Sequence, residues 1–94
     1  VIVKWLQDWY VQNCDGEWEH DYGVVLETLD NPGWLLKVDV KGTEFESRTE
    51  DPRRIERSEV DWIHWWVEDD RFHAAGGPGN LEEMLRTFRG WVGS

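Results

Sequence analysis

Between positions 1 and 14 the apolar residues Ile2, Trp5, Leu6, Trp9 and Tyr10 recur every three or four places, with Lys4, Gln7, Asp8 and Gln12 largely between them. That period predicts a helix with one apolar face. Asp15-Gly16 ends it, because glycine enters the left-handed backbone region at a helix terminus without a side-chain penalty. From Tyr22 the period shortens to two: Val24, Leu26 and Thr28 alternate with Val25, Glu27 and Leu29 as far as Asp30-Asn31-Pro32-Gly33. Trp34, Leu36, Val38 and Val40 then alternate with Leu35, Lys37 and Asp39. Two antiparallel strands joined by that turn are predicted. Lys41-Gly42 turns the chain into residues 43–47, read as a further strand although Phe45 is its only large apolar group. Residues 48–58 carry four arginines and Pro52 and offer only Ile55 to a core, which suits a loop or a short edge strand. Residues 60–67 read as a strand with Ile63, Trp65 and Val67 on one face and Trp62, His64 and Trp66 on the other. Glu68-Asp69-Asp70 turns into residues 71–75, which pair back on it, and Gly76-Gly77-Pro78-Gly79 interrupts regular structure. Asn80 is placed to cap a second helix, with Glu83 completing a capping box and Leu81, Met84, Leu85, Phe88, Trp91 and Val92 at helical spacing.

Helix, strands and helix are segregated along the chain, which predicts an α+β fold rather than a parallel doubly wound sheet. The expected architecture is an N-terminal helix, an antiparallel meander of about four to five strands and a C-terminal helix, both helices packed on one sheet face. Ninety-four residues suit one domain over 1–94. With 39% hydrophobic residues and eight tryptophans the chain is too apolar to stay disordered, although 32% of it is charged. Twenty acidic against ten basic residues leave a net charge of −10, which repels nucleic acid and anionic lipid and favours a basic partner. Cys14 is a lone cysteine, no run approaches the ~18 apolar residues of a membrane helix, and no leader pattern is visible. A cytoplasmic protein is expected.

The acidic excess is uneven. Residues 1–23 hold Asp8, Asp15, Glu17, Glu19 and Asp21 against Lys4, and residues 59–70 hold Glu59, Asp61, Glu68, Asp69 and Asp70 with no basic residue. If residues 15–21 and 68–70 meet at one edge of the fold, they form a carboxylate surface able to imitate a phosphate backbone in a basic cleft. Solvated loops that keep the chain soluble explain the same residues. Eight tryptophans exceed the needs of one small core, so some are expected at the surface as interface anchors. With Ile63, Trp65 and Val67 facing the helices beside Trp34, Leu36 and Val38, the open face shows Trp62, His64, Trp66, Leu35, Lys37 and Asp39. The alternatives for that face are a cover formed by residues 48–58, a homodimer contact or a sugar platform.

Enzyme chemistry finds less support. Cys14 lies near His20, but Asp15, Glu17 and Glu19 surround it with negative charge, which disfavours a reactive thiolate. Cys14, His20, His64 and His73 match no zinc spacing. The run of glycines before the second helix resembles an anion-binding loop without its lysine, and a tight strand-to-helix connection accounts for it equally well.

The strings Trp5-Leu6-Gln7-Asp8-Trp9-Tyr10, Cys14-Asp15-Gly16-Glu17-Trp18-Glu19-His20 and Thr28-Leu29-Asp30-Asn31-Pro32-Gly33-Trp34 are followed in order by Asp61-Trp62-Ile63-His64, Ala75-Gly76-Gly77-Pro78 and Asn80-Leu81-Glu82-Glu83. In order and spacing this resembles the immunity protein 53 family over nearly the whole chain. The resemblance implies a small cytoplasmic bacterial α+β protein from a polymorphic-toxin locus that binds a cognate toxin domain and neutralises it, with no catalytic residue and no cofactor. On that reading Trp62, His64 and Trp66 are anchors, while Glu17, Glu19, Asp21, Glu68, Asp69 and Asp70 steer and pair with Lys or Arg of a toxin, a nuclease being one candidate class. The chain is expected as a monomer or weak homodimer. Two other readings stay open: a small ligand-binding or enzymatic domain centred on the Trp62/His64/Trp66 face or Cys14, and a general acidic mimic of many basic partners.

Overall fold

A computed structural model describes residues 1–93. The chain runs α1 (Ile2–Asn13), α2 (Trp18–Asp21), β1 (Val24–Leu29), β2 (Gly33–Asp39), β3 (Glu50–Glu56), β4 (Trp62–Glu68), β5 (Arg71–Gly76) and α3 (Leu81–Trp91). One five-stranded sheet has the order β1-β2-β5-β4-β3 with every neighbouring pair antiparallel. The α+β architecture agrees with the sequence pattern, while the strand order departs from a simple meander. After β2 the chain crosses to the far edge, and β3, β4 and β5 return until β5 lies beside β2.

The crossing accounts for residues 43–47, which are turns and not a strand. Thr43 N–H donates to Val40 O, Glu46 N–H to Thr43 O and Arg48 N–H to Phe45 O, so the backbone satisfies itself locally. Phe45 is the segment's buried group and packs on Trp91 with ring centroids 5.3 Å apart. One apolar side chain plugs the core but cannot sustain an alternating face. Residues 50–56 form an edge strand, with a register irregularity between Glu50 and Arg53 around Pro52.

The short helix α2 has no hydrophobic period to announce it. Asp15 Oδ1 accepts the N–H groups of Glu17 and Trp18, both at 2.9 Å, while Glu19 accepts from the N–H groups of Asp15 and Gly16. This reciprocal capping stabilises a single turn. Trp18 is buried in consequence and its Nε1–H reaches Lys41 O at 2.7 Å.

One face of the sheet carries Leu36, Val38, Ile63, Val67, Phe72 and Ala74, and it packs with Trp9 of α1 and Met84, Leu85 and Phe88 of α3. Full burial of such side chains is worth ~1.5–3 kcal/mol each before chain entropy is counted. Phe88 lies where the layers meet, edge-on to Trp5, Trp9 and Phe72.

The capping box expected at the start of α3 does not form. Asn80 is 6% exposed and its side chain makes no cap bond. Its Nδ2–H2 donates to Asp61 Oδ1 at 2.8 Å and Glu83 Oε1 at 3.0 Å, while its Oδ1 accepts from Trp62 N–H at 3.4 Å. A buried amide must satisfy both ends, and here Asp61, Trp62 and the Glu83 side chain supply the partners.

Candidate functional site

On the sheet face opposite the helices, the register sets Trp62, His64 and Trp66 of β4 beside Ala75 and His73 of β5, then Leu35 and Lys37 of β2. Residues 48–58 do not cover this face; β3 pairs at its edge and adds Arg54 and Glu56. Trp66 and His73 face each other across the ladder and stack, centroids 5.0 Å apart and planes 4° from parallel. Trp62 leans on His64 at 4.9 Å, and His64 Nε2 lies 2.9 Å from Glu56 Oε1. Trp66 Nε1–H donates to Glu68 Oε1 at 3.2 Å. Burial lowers the His73 pKa from its ordinary 6.5, more than the neighbouring Glu68 raises it, which favours the neutral ring in the stack. Beside this row, Asn31, Glu56, Ser58, Glu59, Trp62 and His64 line an open cleft of about 320 Å³.

His73 belongs to the row although the chain pattern drew attention only to Trp62, His64 and Trp66. That pattern predicts only that residues 71–75 pair back on the preceding strand, and joining His73 to Trp66 required the β4–β5 register. Every one of the eight tryptophans is at least partly buried, and six of them serve the core. Trp9 and Trp18 are in the core, and Trp5, Trp34, Trp65 and Trp91 pack against it. Indoles do the filling that aliphatic residues do in most small domains, which leaves only Trp62 and Trp66 on the open face.

The two acidic segments lie at one end of the sheet. Asp39 N–H donates to Gly23 O, Val40 N–H to Asp70 O and Trp18 Nε1–H to Lys41 O, so residues 39–41 sit between α2 and the β4–β5 turn. Asp69 and Asp70 form that turn with φ of 53° and 57°, the left-handed pair that a two-residue hairpin requires. The carboxylates divide by role. Glu17, Asp21, Glu68 and Asp69 point to solvent. Glu19 is committed to the α2 cap, and Asp70 accepts from Ser47 N–H at 2.6 Å and lies 3.8 Å from Lys41 Nζ.

A polar cluster that the pattern did not reveal ties the β3–β4 hairpin to α3. Arg57 donates to both oxygens of Asp61, at 2.9 and 3.0 Å, and to Glu83, while Asn80 bridges Asp61 and Glu83. Hydrogen bonds from Arg57 and then Asn80 hold the Asp61 carboxyl below its ordinary pKa. The strings at residues 61–64 and 80–83 that carried the family resemblance thus meet in a structural clamp.

The remaining candidates are apart. Cys14 Sγ–H donates to Tyr10 O at 3.3 Å, and among the described residues no three of His, Cys, Asp and Glu gather to hold a metal. A Cβ on Gly76 would lie 2.7 Å from Met84 Sδ and one on Gly77 2.3 Å from Val60 O, so close packing explains these glycines. Among the described residues no helix is long and apolar enough to cross a membrane.

No curated protein and no solved structure matches the chain. A family model described as immunity protein 53 matches residues 3–93. Over that length, which takes in all five strands and all but the first residue of the helices, the chain belongs to the immunity protein 53 family, a membership that implies neutralisation of a toxin.

Proposed function

We propose that this chain acts in the cytoplasm as a non-enzymatic inhibitor that neutralises its cognate toxin by occupancy, through the open sheet face and the acidic end beside it. Trp62, His64 and Trp66 are the anchors, joined by His73, while Glu17, Asp21, Glu68 and Asp69 steer the approach of a basic toxin surface. Glu19 and Asp70 support the backbone that presents them. The observation that carries the reading is the Trp66–His73 stack bordered by the exposed carboxylates Glu68 and Asp69. Side chains already held by a stack, by Glu56 and by Glu68 lose little rotamer freedom on binding.

The test is inhibition of the toxin domain from the same locus. Trp66→Ala should weaken binding by about 30-fold, the effect of a ~2 kcal/mol hot spot. The pair Glu68→Lys and Asp69→Lys should slow association at low salt and have little effect near ~1 M, where exposed charges are screened. Full inhibition with unchanged association by the Trp66 and charge variants would sink the assignment of this face.

A second reading rests on the cleft between Trp62, His64 and Glu59, whose volume lies at the small end of ligand sites. Chemical-shift changes confined to that cleft on adding small polar metabolites, without toxin binding, would favour it.

A further inference from the structure

The two edges of the sheet are built differently. The β3 edge carries Pro52, a register irregularity and the charges of Glu50, Asp51, Arg53, Arg54 and Glu56, the devices that keep an edge from pairing. The β1 edge has no proline and no register irregularity, and Glu27 is its one charged residue. Its sequence is Val24-Val25-Leu26-Glu27-Thr28-Leu29, with Val25 48% and Leu26 44% exposed.

Asp39 N–H donates to Gly23 O, so Gly23, Val25, Glu27 and Leu29 turn their backbone groups toward β2. The N–H and C=O groups of Val24, Leu26 and Thr28 then point outward, on the side where β1 has no neighbouring strand. Alongside, α1 leaves a groove of about 430 Å³ lined by Val3, Leu6, Tyr10, Gly23 and Val24. The side chains of Val24 and Leu26 share the sheet face on which that groove opens, since they register with Val38 and Leu36 of the core.

Charge selects the occupant. Residues 5–36 contain Asp8, Asp15, Glu17, Glu19, Asp21, Glu27 and Asp30 and no lysine or arginine. A second copy, itself at net −10, would bring the same charge to the same edge. We propose that the β1 edge is extended by a strand of the toxin in which apolar residues facing the α1 groove alternate with Lys or Arg facing Glu27. This rests on the toxin-binding reading and specifies how the partner is held: main-chain bonds supply affinity and the alternating side chains supply selectivity. β1 and β4 are three strand spacings apart, roughly 14 Å at ~4.8 Å per strand, so one toxin domain spans this edge and the Trp66 face together.

The experiment is amide hydrogen exchange on the full chain, alone and with the toxin domain from its locus. In the free chain Val25, Glu27 and Leu29 should be slow and Val24, Leu26 and Thr28 fast; toxin should slow the latter three by about tenfold or more, the protection expected of new ladder bonds. Leu26→Pro removes one outward N–H without touching the β2 ladder and should weaken binding at least tenfold, and Thr28→Pro repeats the test if the first variant melts differently from the parent. Glu27→Lys should weaken binding most at low salt. Toxin binding that leaves those three amides fast overturns the edge inference while the immunity reading survives. Absence of any toxin binding removes both. Protection already present in the free chain and rising with its concentration assigns the edge to a second copy and overturns the proposal.

Discussion

Phe88 is the residue whose loss the fold should feel most. It is fully buried and meets Trp5 at 5.8 Å, Trp9 at 5.0 Å and Phe72 at 5.0 Å, all near edge-on, and Trp91 at 6.4 Å. Phe88→Ala therefore removes contacts to both helices and the central strand at once. Truncations of this kind cost ~3–5 kcal/mol, and aromatic pairs worth ~0.5–1.5 kcal/mol beyond their area place this site at the upper end. A domain of this length holds only roughly 5–14 kcal/mol in total. At ~1–2 kcal/mol per molar urea, the unfolding midpoint should drop by about 2 M or more. Far-UV circular dichroism is the readout, because tryptophan emission would change with the surroundings of Trp5, Trp9 and Trp91. Phe45→Ala is the comparison: that ring is also buried, but among the described residues Trp91 is its one aromatic partner, with Arg48 over its face. A loss below ~1.5 kcal/mol for Phe88→Ala, or one no larger than for Phe45→Ala, would refute the claim that this ring joins the layers.

Three further outcomes follow from the structure. Because burial lowers the His73 pKa from 6.5, its contribution to stability is complete above that value and is lost as pH falls through the folded value; His73→Gln should remove that slope, measured by urea unfolding at about pH 5 and about pH 7.5, and an unchanged slope would contradict it. Asp61, lowered by Arg57 and Asn80, stabilises above 3.8 and loses that effect as pH falls through its folded value, so Asp61→Asn should flatten the acid limb of the same titration. Gly77→Ala places a Cβ 2.3 Å from Val60 O and should cost ~1–3 kcal/mol, whereas Gly79→Ala meets nothing within 4 Å and should be neutral or stabilising by ~0.4–1 kcal/mol in thermal melts.

Much of the fold was legible from period alone. The repeats at Ile2, Trp5, Leu6 and Trp9 and at Leu81, Met84, Leu85 and Phe88 marked two helices, and alternation through residues 24–39 and 62–67 marked strands, because burial of one face writes its period into the chain. The open-face set Trp62, His64 and Trp66 followed from the same alternation. Family membership was legible too, through ordered multi-residue strings.

Strand order was not. Each strand states which residues share a face but not which strand lies beside it, so the crossing from β2 to the far edge and the insertion of β5 emerged only from the assembled sheet. The same holds for every contact that depends on register or on a distant element: the Trp66–His73 stack, the Arg57–Asp61–Asn80–Glu83 clamp and the bare edge of β1. Helix α2 escaped because capping hydrogen bonds, which leave no hydrophobic period, hold it together. Local period is a property of one segment, whereas pairing and polar satisfaction belong to segments far apart in the chain, and those were decided by tertiary packing.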